Sequence, residues 1–297
     1  MLLFYCDPYD IPLPTGHKFP MEKYRLLREQ LGENSGFRFE IGPFAQTEDL
    51  LRVHEQAYVE RFLAAQLDPQ ELRRIGFPNV PQLITRTLSS VGATVEAAQV
   101  ALREGAAGVL AGGTHHAHRT FGSGFCVFND IAVAAARLLD EGKVERVAVV
   151  DLDVHQGDGT ATIFAADPRV FTFSAHGRHN FPFRKEQSDL DLAFENGTEG
   201  EEYLAALPAS LEQVFATRPQ IVFYQAGVDA LATDKLGKLA LAPADLLARD
   251  HLVFHECRRR GVPVAITLGG GYSDPITHTV ATAAQTYLAA RRLLGSA

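Results

Sequence analysis

The nine residues 151–159, DLDVHQGDG, place three carboxylates and an imidazole directly after the apolar run 147–150. Charge at the mouth of a buried strand is costly unless it is compensated. Asp151, Asp153, His155 and Asp158 must therefore either satisfy a turn or hold a cation. Asp153 and His155 are two residues apart, so on an extended strand end both side chains point the same way. Asp229 follows a second apolar run, IVFYQ at 221–225. Two carboxylates and an imidazole suit a catalytic zinc ion that keeps one position open for water and substrate. The plainer alternative makes Asp153 a helix cap and His155 a satisfied turn histidine.

Two further strings carry residues of the same kind. GGTHHAH at 112–118 sets His115 beside His116. Imidazole is the side chain best matched to proton transfer near neutral pH. A histidine base needs an orienting carboxylate on its other nitrogen, and Asp151 and Asp158 are available for that. Otherwise one histidine packs and the other is solvated. LGGGYS at 268–273 ends a flexible glycine run on Tyr272, whose phenol could donate to a developing oxyanion. A plain turn with a surface tyrosine is the commoner meaning of such a string. It is not a phosphate loop, because the G-x-x-x-x-G-K-[ST] pattern is absent.

The elements that must position these residues alternate. Short apolar runs at 2–6, 37–41, 108–112, 146–152, 170–174, 221–225 and 264–268 read as strands. Helix-period segments lie between most of them, at 82–104, 127–141, 200–216, 244–260 and 277–293. This order implies an α/β protein, a central mostly parallel sheet covered by helices on both faces. Residues 42–105 are expected to form a largely helical cap on one end of that sheet. Open sheets of this kind bind ligands outside the carboxyl ends of their strands, where GGTHHAH, DLDVHQGDG, AGVDALATD (226–234) and LGGGYS all fall.

The bulk numbers narrow the class. The 297 residues, 46% hydrophobic and 22% charged, show neither repeats nor long linkers, which predicts one domain over 1–297. A formal charge of −8 argues against a general nucleic-acid binder. No signal peptide or membrane-spanning run is visible, so a cytoplasmic protein is expected. Cys6, Cys126 and Cys257 are too scattered for a disulfide framework or zinc knuckle.

Taken in order, GHKFP, THHA, GFCVFND, DLDVHQGDGT, FTFSAHG, AGVDA and LGGGY resemble the zinc-dependent histone deacetylase family. That family also includes acetylpolyamine amidohydrolases and acetoin-utilisation proteins. FPMEKY (19–24) and NFPFRKEQSDLDL (180–192) look most like its class IV and related bacterial members. Phe183–Arg184–Lys185 stands where the larger class I enzymes carry glycines, and three glycines precede Tyr272 where many relatives have four.

The resemblance implies a three-layer arginase/deacetylase-like fold. It implies one zinc ion on Asp153, His155 and Asp229, with His116 as general base and acid oriented by Asp158. His115 pairs with Asp151, and Tyr272 polarises the amide carbonyl. Phe125 and Phe181 line a narrow tunnel, and Gly124 accepts a hydrogen bond from the substrate amide. A structural potassium ion is implied at Asp151, Ser174 and the backbone of Asp153, His155 and Ala175, with a weaker second match near Phe164, Asp167 and Val170. The implied activity is hydrolysis of an N-acyl-lysine on a peptide or protein, or of an acylated polyamine. Two other readings compete. A catalytically silent protein could keep the pocket as an acyl-lysine binding site. A two-metal ureohydrolase would need D-x-H-x-D, whereas the fifth position here is Gly157.

Overall fold

A computed structural model describes residues 1–33 and 36–295. The strands are β1 (Leu2–Tyr5), β2 (Arg38–Ile41), β3 (Ala106–Val109), β4 (Val147–Asp151), β5 (Val170–Gly177), β6 (Leu190–Phe194), β7 (Ile221–Gln225) and β8 (Val264–Thr267). They form one eight-stranded sheet in the order β2-β1-β3-β8-β7-β4-β5-β6. Every neighbouring pair is parallel, so the sheet is wholly rather than mostly parallel. All residues of β3, β4, β7 and β8 are buried, as expected where helices cover both faces.

The helices are α1 (Lys23–Gly32), α2 (Thr47–Leu51), α3 (Gln56–Leu63), α4 (Pro69–Ile75), α5 (Pro81–Glu104), α6 (Asp130–Asp140), α7 (Asp158–Phe164), α8 (Gly200–Ala216), α9 (Pro243–Arg260) and α10 (Ile276–Leu294). α5, α6 and α7 pack in series on the sheet, and α1, α10, α9 and α8 form a second series. The result is the three-layer α/β/α arrangement. Cys6, Cys126 and Cys257 are free and buried. Among the described residues no helix is long and apolar enough to cross a membrane.

Several expected boundaries change. Of the stretch 42–105 expected to cap one end of the sheet, α5 instead runs across the sheet face against β1, β3, β8 and β7. Gly92 lets the loop after β2 lie directly on α5, since a Cβ there would collide with the backbone of Pro43. The strand expected at 108–112 is Ala106–Val109, and the remainder begins the loop that carries the histidines. The helix expected from 127 starts at Asp130, where the Asn129 side chain accepts the Ala132 N–H. β6 had no counterpart in the sequence reading. Its half-buried LDLAF is an edge segment interrupted by a charge, without the continuous apolar run of a central strand.

One feature of this topology builds the site. β3, β8, β7 and β4 are consecutive across the centre of the sheet. GGTHHAH, LGGGYS, AGVDALATD and DLDVHQGDG follow these four strands, so four distant segments share one rim.

Candidate active site

Asp153 and His155 lie in bends beyond the end of β4, not on extended strand. They converge on Asp229 through the bend itself. The His155 N–H donates to Asp153 Oδ1 at 3.0 Å, and His155 Nδ1 lies 3.1 Å from that oxygen and 2.9 Å from Asp229 Oδ2. One donor atom from each of Asp153, His155 and Asp229 falls within 4.8 Å of the others. The backbone fixes both carboxylates, since Val154 N–H donates to Asp229 Oδ1 at 3.0 Å and Gly270 N–H to Asp153 Oδ2 at 2.7 Å. Glycine is required at 270 for this approach, because a Cβ would collide with the Asp229 carboxylate.

Burial and the Asp153 charge push Asp229 up to about 7. Burial alone would depress His155, yet Asp229 and Asp153 raise it to about 10. The cluster thus holds more negative charge than its burial tolerates and draws a positive charge into its centre. Two oxygen donors and one imidazole suit zinc, and among the described residues this is the one group with such geometry.

Beside it stand two histidine–aspartate pairs. His115 Nδ1 is 2.6 Å from Asp151 Oδ2, and His116 Nδ1 is 2.6 Å from Asp158 Oδ1. The two rings lie 4.1 Å apart, and their environments separate them. Burial would lower His115, but Asp151 raises it to about 9. Burial and then the His115 charge lower His116 to about 4, against the pull of Asp158. One imidazole is thereby held charged and its neighbour neutral. A third histidine joins them: His118 Nε2 reaches Asp158 Oδ2 at 3.2 Å, and Thr162 Oγ1 lies 2.8 Å from its Nδ1.

Tyr272 is held by its backbone, whose N–H donates to Asp234 Oδ2 at 2.6 Å. Asp234 Oδ1 also accepts from Leu236 N–H at 2.8 Å and Gly237 N–H at 2.9 Å. Lys23 Nζ donates to the carbonyls of Gly269 and Gly271, each at 3.3 Å, and lies 5.0 Å from the centre of the Tyr272 ring. Burial lowers this ammonium to about 8, opposed by Asp229, Asp153 and Asp234. Burial, followed by Asp229 and Asp153, keeps the Tyr272 phenol protonated.

Two aromatic side chains frame the entrance. Gly124 and Phe125 take left-handed conformations, φ +54° and +64°. Their N–H groups donate to Arg74 and Ile75 carbonyls at 3.1 and 2.7 Å, which ties the turn to α4. A Cβ on Gly124 would stand 2.7 Å from His116 Cδ2 and 2.9 Å from Phe181 Cε1, so only glycine fits. The Phe181 ring meets His116 edge-on at 4.9 Å. An outer cavity of about 300 Å³ passes Phe125 and Phe181 to reach His116, His155 and Tyr272. An inner cavity of about 80 Å³ continues behind them toward Tyr24 and Arg86.

Gln156, which the sequence assigns only to the turn, latches the loop bearing Phe181. Its Nε2 donates to the Glu186 carbonyl at 2.7 Å and to Asp191 Oδ1 at 2.9 Å, and its Oε1 accepts the Glu186 N–H at 2.9 Å. Asp151 and Ser174 face each other in the β4–β5 register, with Ala175 next along β5.

Residues 17–288 match the histone deacetylase domain. The chain belongs to the histone deacetylase family. Over 97% of both chains it is 44% identical to an uncharacterized protein of Picosynechococcus. It is 31% identical to histone deacetylase 2 of Arabidopsis thaliana, covering 94% of this chain and 76% of that protein. It is 33% identical to a probable deacetylase of Archaeoglobus fulgidus, covering 88% of this chain and 77% of that one.

In this histone deacetylase-family chain the residues named from the sequence come together in two connected groups. Asp153, His155, Asp229, His115, His116, Asp151 and Asp158 form the floor, while Tyr272, Gly124, Phe125 and Phe181 line the approach. Sequence reasoning missed Lys23, His118 and Asp234. Each stood inside a quoted string, FPMEKY, GGTHHAH or AGVDALATD, but its partner lies far along the chain.

Proposed function

We propose that this chain is a zinc-dependent amidohydrolase that removes acetyl or other acyl groups from N-acyl-lysine side chains. The observation that carries the reading is the three-donor cluster directly beside two histidine–aspartate pairs, at the base of an aromatic-framed pocket. Asp153, His155 and Asp229 would hold the zinc ion, which supplies Lewis acidity and a water acidified to near neutrality. His116 is neutral at working pH, and its Nδ1 is committed to Asp158. Its Nε2 therefore takes a proton from the attacking water and returns it to the leaving amine. His115, kept charged by Asp151, adds positive potential next to the developing oxyanion. Tyr272 donates its phenolic proton in a hydrogen bond to that oxyanion.

Phe125 and Phe181 would enclose the lysine methylenes and exclude water. The Gly124 carbonyl would accept the substrate amide N–H. Asp151, Ser174 and Ala175 would hold a structural potassium ion, for which carboxylate, hydroxyl and carbonyl oxygens are the suitable donors.

A panel of acetyl-, propionyl- and longer acyl-lysine peptides tests the reading, assayed with chelated and with zinc-restored protein. Restored protein is expected to hydrolyse at least one peptide and chelated protein none. Asp153→Ala is expected to lose bound zinc and activity together. Hydrolysis at the normal rate by that variant would overturn the site.

A further inference from the structure

The pocket mouth carries the opposite charge from the chain as a whole. The formal net charge is −8, yet the outer cavity is lined by Lys18, His179 and Lys238 and by no carboxylate. From this we propose that the mouth selects an acyl-lysine carried on an acidic stretch of polypeptide and rejects polycationic carriers such as acylated polyamines. The inference rests on the deacylase reading above and names its substrate class.

Three segments supply the charge. The loop before α1 gives Lys18 and the loop after β7 gives Lys238, and in the loop after β5 Arg184 and Lys185 directly follow the lining residue Phe183. Among the described residues, Lys18, Arg184, Lys185 and Lys238 make no ion pair. Lys185 Nζ donates to the Asn180 and Pro182 carbonyls at 2.6 and 2.5 Å, and Lys238 Nζ to the His179 carbonyl at 2.8 Å. These bonds fix the ammonium groups and leave their charge uncompensated.

Three carboxylates near these segments are already engaged, while Glu186, which follows Lys185, is exposed. Glu195 pairs with Arg178 and His179, Asp274 pairs with Lys235, and Asp234 accepts three backbone N–H groups. Burial lowers Lys185, opposed by Asp158, and the Lys238 ammonium lowers it further, which places two like charges within each other's field.

An apolar group stands at the same rim. Phe183 is 84% exposed, far more than the other exposed large hydrophobics Ile41, Phe44 and Leu51, at 46%, 44% and 40%. Its ring stands edge-on to Phe181 at 6.3 Å. With the acyl-lysine side chain inserted past Phe181, the residues flanking that lysine would lie over Phe183 between the rim cations. An acidic segment supplies side-chain methylenes that can lie against Phe183 and charge opposite to that of the rim lysines. A polyamine brings further ammonium groups within the ~8 Å over which charges are felt at physiological salt.

The test uses the full chain with zinc restored and acetyl-lysine peptides flanked by Asp/Glu, by Ala/Gly or by Lys/Arg, alongside N-acetylspermidine. The acidic peptide is expected to exceed the basic one in kcat/KM by roughly tenfold, mostly through KM, with acetylspermidine poorest; 0.5–1 M salt should compress the order. Lys18→Glu combined with Lys238→Glu is expected to reverse the ranking. Equal kcat/KM for the three flanks, or a preference for basic flanks or acetylspermidine, would overturn the proposal. If no acyl-lysine is hydrolysed, the deacylase reading fails instead. Fluorescence anisotropy of the same labelled peptides on wild-type and doubly substituted protein then decides about the mouth, and charge-independent binding would reject it.

Discussion

Replacing Asp158 with asparagine keeps the outline of the side chain and removes its charge from the His116–Asp158 pair. Asp158 Oδ1 is 2.6 Å from His116 Nδ1, and the carboxylate is buried. When His116 takes a proton, the imidazolium faces this carboxylate at a charge separation of about 4 Å, worth ~4 kcal/mol at an effective dielectric near 20. A neutral hydrogen bond from asparagine recovers about 1 kcal/mol. The net loss is therefore about 3 kcal/mol. At ~1.4 kcal/mol per tenfold, this corresponds to a fall in kcat of roughly 100-fold, with KM nearly constant because the charge develops only in the transition state.

The Asp158 carboxylate bonds to His116 and His118 and is not one of the three cluster donors, so zinc content should be unchanged. The Asp158 carboxylate raises His116 against its burial and the His115 charge, so its removal moves the acid limb of the pH–rate profile lower. The assay is steady-state hydrolysis of an acyl-lysine peptide across pH, with metal analysis of each sample. A kcat within threefold of wild type at full zinc occupancy, or an acid limb displaced to higher pH, would refute the assignment.

Three further outcomes are expected. Tyr272→Phe should lower kcat by about 100-fold, as for loss of an oxyanion donor, with zinc content and melting temperature retained; an unchanged kcat removes the phenol from the chemistry. Gln156→Ala should release residues 178–189, raising KM several-fold and speeding their amide exchange; unaltered exchange would show that other contacts hold the loop. His54 accepts the Asn129 N–H on Nε2 and is lowered by burial to about 4 from 6.5. The unfolded chain binds this proton first, so its contribution is complete above pH ~6.5 and is lost as pH falls toward 4, ~3 kcal/mol in all. Urea unfolding of wild type should show a steeper acid loss than His54→Asn, and parallel slopes would count against a neutral buried His54.

The alternation of apolar runs and helix-period segments determined the α/β class, because burying one face of each element leaves few other arrangements. It was silent on β6, whose edge position does not require a continuous apolar run. Residue types at strand ends also announced the donors: Asp153 with His155, the adjacent histidines, and glycines before Tyr272. The glycines were legible as close-approach positions, but what approaches Gly270 is Asp229, from another strand.

Pairing was beyond the reach of spacing. By spacing Asp151 and Asp158 were equally available; the family resemblance paired them with His115 and His116, and the bend after β4 brings each to 2.6 Å from its histidine. Lys23 reaches the Gly269 carbonyl across 246 residues of chain, and the basic mouth is assembled from three loops inside an acidic protein. The sequence by itself determined which chemical groups stand at the ends of the strands. Only the tertiary structure decided which groups compensate one another, because hydrogen bonds and charge interactions depend on distance through space and on burial, and neither follows from position along the chain.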